Sequence, residues 1–180
     1  MKGIIFTEFM ELVDAKFSPE ICENLIETSD LASGGIYTSV GTYPPAEMVT
    51  LVTNLASMTG IPVPDLLKTF GRHLFGQFLE KFPRFFVGLN SSFEFLPKVE
   101  SFVHLEVKKL YPDAELPTFV CTTPEADGLE IVYTSVRNLP DLAEGLIEAC
   151  IDHFGDRASL TRTCDPQNPL RVIFTLHHID

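Results

Sequence analysis

The spacing of apolar residues changes period along this chain, and that change limits the fold more than any other feature. Up to about residue 110 they recur mostly at three- and four-residue intervals; beyond Leu116 alternating stretches take over, with one return to helical spacing over 139–154. Ile4, Ile5, Phe9, Leu12, Val13 and Phe17 form one helical stripe over 2–16, with Glu8, Glu11 and Lys16 outside it. Ser18 reads as an N-cap and Pro19 as the first residue of a second helix over 18–29. Ser33-Gly34-Gly35 is a loop, and the β-branched, Gly-punctuated run Ile36–Tyr43 is extended or loop-like. Pro45 opens a helix over about 45–59, which Gly60 ends. Further helices are predicted over about 64–71 and 73–82, the latter stopping at Pro83. Residues 92–110 form the longest amphipathic segment, closed by Tyr111-Pro112-Asp113.

Thr118–Thr122 and Leu129–Val136 then read as strands, with Asp127-Gly128 as a turn signal before the second. A helix over 139–154 follows, then strands Ala158–Cys164 and Leu170–His177 joined by a Pro-flanked turn. Helices first and strands later predict one α+β domain over 1–180. Its expected parts are an N-terminal helical subdomain of about 1–62 and a mixed subdomain of about 63–180. The mixed part should hold an antiparallel sheet of about four strands and a long helix, with the seam near Gly60 to Pro64.

Thirteen Lys and Arg against twenty-five Asp and Glu leave a net charge of −12. That excess disfavours nucleic acid and anionic membrane surfaces, both of which are held by basic side chains. No apolar stretch approaches the ~18 residues of a membrane span, and the uncharged run before Glu8 is too short for a signal peptide. Cys22, Cys121, Cys150 and Cys164 are widely spaced, so reduced thiols and a cytoplasmic location are expected.

Fifteen Phe and no Trp are present, and the Phe cluster at 70, 75, 78, 82, 85, 86, 93, 95 and 102. This is either a greasy helical core or the lining of a pocket for a flat apolar ligand. His104 sits among Phe95, Leu96, Val99, Phe102, Val103, Leu105, Val107 and Leu110. It is a satisfied core histidine or an axial ligand to a haem iron behind an apolar wall. On a strand, Tyr133, Ser135 and Arg137 would share one face. That row would suit a ligand with two carboxylates, or be the polar outer face of an edge strand. Pro117 by itself reads as a strand entry.

Taken in order, Met1-Lys2-Gly3, Tyr37-Thr38-Ser39-Val40-Gly41-Thr42-Tyr43, His104 in FVHLEVKKLYPDAELP and Tyr133-x-Ser135-x-Arg137 resemble the H-NOX family. These are haem–nitric oxide/oxygen binding domains, related to the sensor domain of soluble guanylate cyclases, and the likeness runs along essentially all of the chain. The resemblance implies one non-covalent b-type haem, with His104 as the iron's proximal ligand on the long helix. It implies Tyr133, Ser135 and Arg137 at the propionates, and Pro117 pressing on the macrocycle. The distal side would come from Ile5, Phe9, Leu74 and Phe78, with Leu142 and Leu146 from the later helix.

Oxygen-binding members carry a tyrosine five residues after the motif's arginine. Here Leu142 stands there, and Leu74 replaces a polar supporting position, which fits the branch selective for nitric oxide. Some relatives bind zinc near the C-terminus, where Cys164, His153, His177 and His178 fall. The other matching positions are Leu139, Leu142, Arg162 and Leu170, so solvated histidines and buried thiols are expected instead.

The resemblance therefore implies a stand-alone gas sensor rather than an enzyme. NO, and also CO, would bind opposite His104, and rupture of the bond to His104 would signal to a separate protein. By family analogy that partner is a histidine kinase or a cyclic-di-GMP enzyme. A haem enzyme acting on NO or peroxide would need a distal acid or base, and the implied distal set is apolar. A haem-free dicarboxylate-binding module would use the same Tyr, Ser and Arg.

Overall fold

A computed structural model describes residues 1–123 and 128–179. Helices α1 (Gly3–Lys16), α2 (Pro19–Thr28) and α3 (Pro45–Thr59) come first. Ser18 caps α2, its hydroxyl accepting the Ile21 N–H at 3.3 Å, with Pro19 at the first helical position. Gly60 ends α3 in the left-handed conformation at φ 74°.

The two helices expected over 64–71 and 73–82 are one, α4 (Val63–Lys81). Gly71 does not break it, because the glycine serves a contact. A Cβ on Gly71 would run into the Leu142 carbonyl of α7 (Pro140–Phe154), and one on Gly145 into the Lys68 carbonyl. The two backbones thus touch where the helices cross, and ion pairs flank the crossing. Lys68 meets Glu144 and Glu148, Arg72 meets Glu148 and Asp152, and Arg162 meets Asp141 and Glu144. Gly145→Val should lower stability by overpacking of about 2–3 kcal/mol, or about 5–10 °C in Tm for a chain of this size. A thermal melt superposing on wild type would show that this crossing is not tight.

The long helix expected over 92–110 is broken. Ser92–Phe95 forms a single α-helical turn (α5), Val99–Val103 is a π-helical turn, and His104–Leu110 (α6) is α-helical again. Pro97 accounts for the break, since it lacks the N–H that would continue the helical hydrogen-bond ladder and its ring crowds the carbonyl one turn back.

Strands β1 (Thr118–Thr122), β2 (Gly128–Thr134), β3 (Ala158–Cys164) and β4 (Arg171–His178) form one antiparallel sheet in the order β1-β2-β4-β3. The expected Leu129–Val136 strand ends at Thr134, before Ser135 and Val136, and Asp127 of the expected turn lies outside the described residues. Leu129, Ile131 and Tyr133 on β2 oppose Leu176, Phe174 and Val172 on β4. This apolar face packs under Ala143, Ile147, Cys150 and Ile151 of α7.

The core falls into two clusters that meet on α4. Phe6, Phe9, Leu25, Met48, Leu51 and Leu55 surround its first half, where Leu66, Leu67, Phe70 and Leu74 point inward. Phe75 belongs with Phe85, Phe95 and the sheet. Glu8, expected outside the α1 stripe, is fully buried, because α4 brings His73 and Lys81 onto its carboxylate. Cys150 is buried and Cys22 and Cys121 are half-buried, whereas Cys164, expected among buried thiols, is exposed on the edge strand β3. Among the described residues no helix is long and apolar enough to cross a membrane.

Candidate haem site

Between the α1–α4 side and the sheet lies a cavity of about 290 Å³, and most of the residues singled out in the sequence line it. His104 contributes from the start of α6, Pro117 from the loop before β1, and Tyr133 from β2. Ser135 and Arg137 follow β2, Ile5 comes from α1, Leu74 and Phe78 from α4, and Leu142 and Leu146 from α7. Phe9 is not among them. One turn beyond Ile5, it is turned into the helical core, its ring edge-on to Phe70 at 5.2 Å between centroids.

The aromatic cluster is both core and lining. Phe75, Phe85 and Phe95 are buried in the second core and also wall the cavity, together with Phe78, Phe82 and Phe86. Phe70, Phe93 and Phe102 do not reach it. A flat apolar ligand is the shape such walls suit.

His104 is largely buried, at 13% side-chain exposure. Its Nδ1 lies 3.2 Å from Glu100 Oε2, and the same oxygen accepts the Phe119 N–H of β1 at 3.1 Å. The acidic partner one turn back settles the tautomer. Nδ1 carries the proton and donates to Glu100, which leaves the Nε2 lone pair for a metal. Burial pushes the imidazole below its usual 6.5, against the opposing pull of Glu100, so the ring is neutral at neutral pH. Glu100 was missed in the sequence, although an acid four residues before a candidate histidine is a usable signal. Glu100 lies in the π-turn at Val99–Val103 and His104 follows that turn directly as the first residue of α6; such turns recur at functional sites.

Tyr133, Ser135 and Arg137 do not alternate along one strand, because β2 ends at Thr134. Ser135 Oγ accepts the Arg137 N–H at 3.2 Å, the Asn138 N–H bonds back to the Ser135 carbonyl, and Asn138 sits at φ 47°. This tight turn brings the three side chains to the cavity instead. Tyr133 Oη accepts the Leu139 N–H at 3.3 Å, and burial pushes the phenol above its ordinary pKa.

Arg137 donates through Nη1 to the Glu115 carbonyl at 2.5 Å and through Nη2 to the Glu115 carboxylate at 3.2 Å. Its Nε is buried without any partner, the one such side-chain atom among the described residues. An orphaned guanidinium N–H beside a cavity is an open donor for an anionic group. Met1 and Lys2, part of the opening motif of the resemblance but given no place at the site by the sequence, join this polar group. The Met1 amine is pushed below its ordinary value by burial and by Arg137, and Lys2 is paired with Asp113. The residues therefore fit a haem: a neutral imidazole for iron, apolar walls for the ring, and cationic donors for its carboxylates. Among the described residues no cluster of three or more His, Cys, Asp or Glu could hold another metal.

The chain matches the sequence profile of the family HNOB, haem-NO-binding, over residues 2–162. It is similar to the Fe(II) unliganded H-NOX protein from K. algicida, with TM-score 0.93, 37% identity, and coverage of 100% of this chain and 97% of that one. It is also similar to the IWP-051-bound H-NOX from Shewanella woodyi in the Fe(II)CO state, with TM-score 0.85 and 37% identity over 99% and 95%. The H-NOX protein from S. oneidensis in the Fe(II)NO state shares the fold at TM-score 0.90, with 24% identity over the full length of both. No curated protein sequence matches the chain. With a profile spanning most of its length, and a cavity whose residues suit the group that profile is named for, the chain belongs to the haem-NO-binding, or H-NOX, family of haem gas sensors.

Proposed function

We propose that this chain is a sensor of nitric oxide carrying one non-covalent b-type haem, held through the iron by His104. One observation carries the proposal. A neutral His104, fixed through Nδ1, and the unpartnered Arg137 Nε border the same apolar cavity. Arg137, Ser135 and Tyr133 would hold the propionates, and Pro117 would press on the ring. When bound, the haem supplies an iron with an open position for a diatomic gas.

Ile5, Leu74, Phe78, Leu142 and Leu146 make the gas-facing wall and bring no hydrogen-bond donor, which suits NO and CO. Without an acid or base there, the wall does not move protons, so sensing is favoured over catalysis. Release of His104 upon NO binding is the proposed signal. Glu100 would pass its movement to β1, since one carboxylate oxygen bonds both His104 and Phe119. α4 belongs to both core clusters, so the proposed subdomains of about 1–62 and 63–180 would shift about it. A separate histidine kinase or cyclic-di-GMP enzyme would read the change, an expectation from family likeness. Four free thiols suit a cytoplasmic location.

An absorption spectrum tests the haem. A Soret band should be present in the purified protein or after haem supplementation, and it should shift with CO and with NO. No Soret band after supplementation would overturn the proposal and leave a dicarboxylate at Arg137 as the alternative. Arg137→Ala should speed haem dissociation by about tenfold or more, the scale of a lost hydrogen bond to a charged group. Ser135→Ala should do less, because a hydroxyl gives a carboxylate one hydrogen bond and no charge, whereas the guanidinium brings a positive charge with its N–H donors. Equal dissociation rates in wild type and Arg137→Ala would remove the clamp.

A further inference from the structure

Glu8 breaks the pattern of α1. A carboxylate in the helical core is fully buried, at 1% side-chain exposure, and both its partners lie on α4. One oxygen is 3.2 Å from His73 Nε2, and the other is ion-paired with Lys81. The partners bracket the cavity-lining residues of α4, since Leu74 follows His73 and Phe78 is one turn before Lys81. On α1, Ile4 and Ile5 line the cavity one turn before Glu8.

We propose that Glu8 is a positioning residue for the gas-facing wall, fixing the distance between α1 and α4 beside Ile5, Leu74 and Phe78. The proposal rests on the haem-sensor function above. Its physical basis is that α1 and α4 cannot part here without stranding a buried charge. Apolar contacts are non-directional and would let the helices slide, whereas a carboxylate held from two directions permits one separation. Lys81 and His73 are partly exposed and can turn to water if Glu8 is replaced by a neutral side chain, so the loss falls on the spacing rather than on two stranded side chains.

The test compares Glu8→Gln with Glu47→Gln in the purified full chain. Glu47 is the other buried carboxylate of the helical core, accepting from Ser33 and Tyr37 away from the cavity. Both variants should lower Tm. Only Glu8→Gln should shift the NMR signals of the Ile5 and Leu74 methyls and change the CO association rate by about threefold or more. Methyl signals and a CO rate in Glu8→Gln matching those of Glu47→Gln would reduce Glu8 to a stabilising residue and overturn the proposal. Should Glu8→Gln fail to fold, Lys81→Met keeps the carboxylate and its His73 bond, and is judged by the same two signals. The methyl shifts decide the positioning role even if the wild type binds no haem, so the two failures remain distinct.

Discussion

His104→Gly should leave the purified chain without haem, and free imidazole should restore binding. The substitution opens a side-chain-sized space beside Val103, Val107 and Phe119, and imidazole has the shape to refill it. Glu100 remains in place, still receiving the Phe119 N–H, so the added ring meets the same acceptor that fixes the native tautomer. The measurement is the ferrous absorption spectrum with and without imidazole. A spectrum unchanged from wild type in the absence of imidazole would assign the iron to another residue. His73 is a poor substitute, because its Nε2 is engaged by Glu8 and it does not line the cavity.

Ferrous protein mixed with air-saturated buffer should form no stable oxygen complex, while NO and CO should both bind. Bound O₂ draws electron density and becomes partly anionic, so a donor stabilises it, by about ten- to a hundredfold in affinity for a hydrogen bond to a charged group. Ile5, Leu74, Phe78, Leu142 and Leu146 offer none. Leu142→Tyr should raise oxygen affinity by about tenfold, toward the low end of that range, because Leu74 gives the new phenol no polar partner. The backbone at 142 is pinned by its contact with Gly71, so the new side chain enters from a fixed point. A stable oxy spectrum in the wild type would mean that a donor reaches the gas, and the proposed nitric oxide selectivity would fall.

Local signals were legible where a residue's effect is confined to its own turn. Ser18-Pro19 starts α2, Gly60 ends α3, Pro83 stops α4, and the alternation of Thr118–Thr122 marks β1, all as expected from the chain. Pro97 was equally local and was overlooked, so a broken segment was read as one helix. The single helix α4 was divided between residues 71 and 73, next to a glycine whose missing side chain looks the same in the sequence whether it loosens a backbone or admits another one. Only the presence of α7 distinguishes the two.

The candidate site divides in the same way. Residue types and order along the chain determined its chemistry: an imidazole, a guanidinium, a phenol and a hydroxyl, and an apolar wall without donors. The helices-then-strands plan was likewise written in the apolar period. Tertiary structure alone decided which side of α1 each residue faces. Period describes one stripe, whereas α1 is covered by neighbours on several sides, so Phe9 turns to Phe70 and Glu8 goes inside to meet His73 and Lys81. It also decided that Tyr133, Ser135 and Arg137 meet through a turn rather than along a strand. A carboxylate or a guanidinium can be buried only where distant segments supply its partners, and those partners are set by packing, not by spacing along the chain.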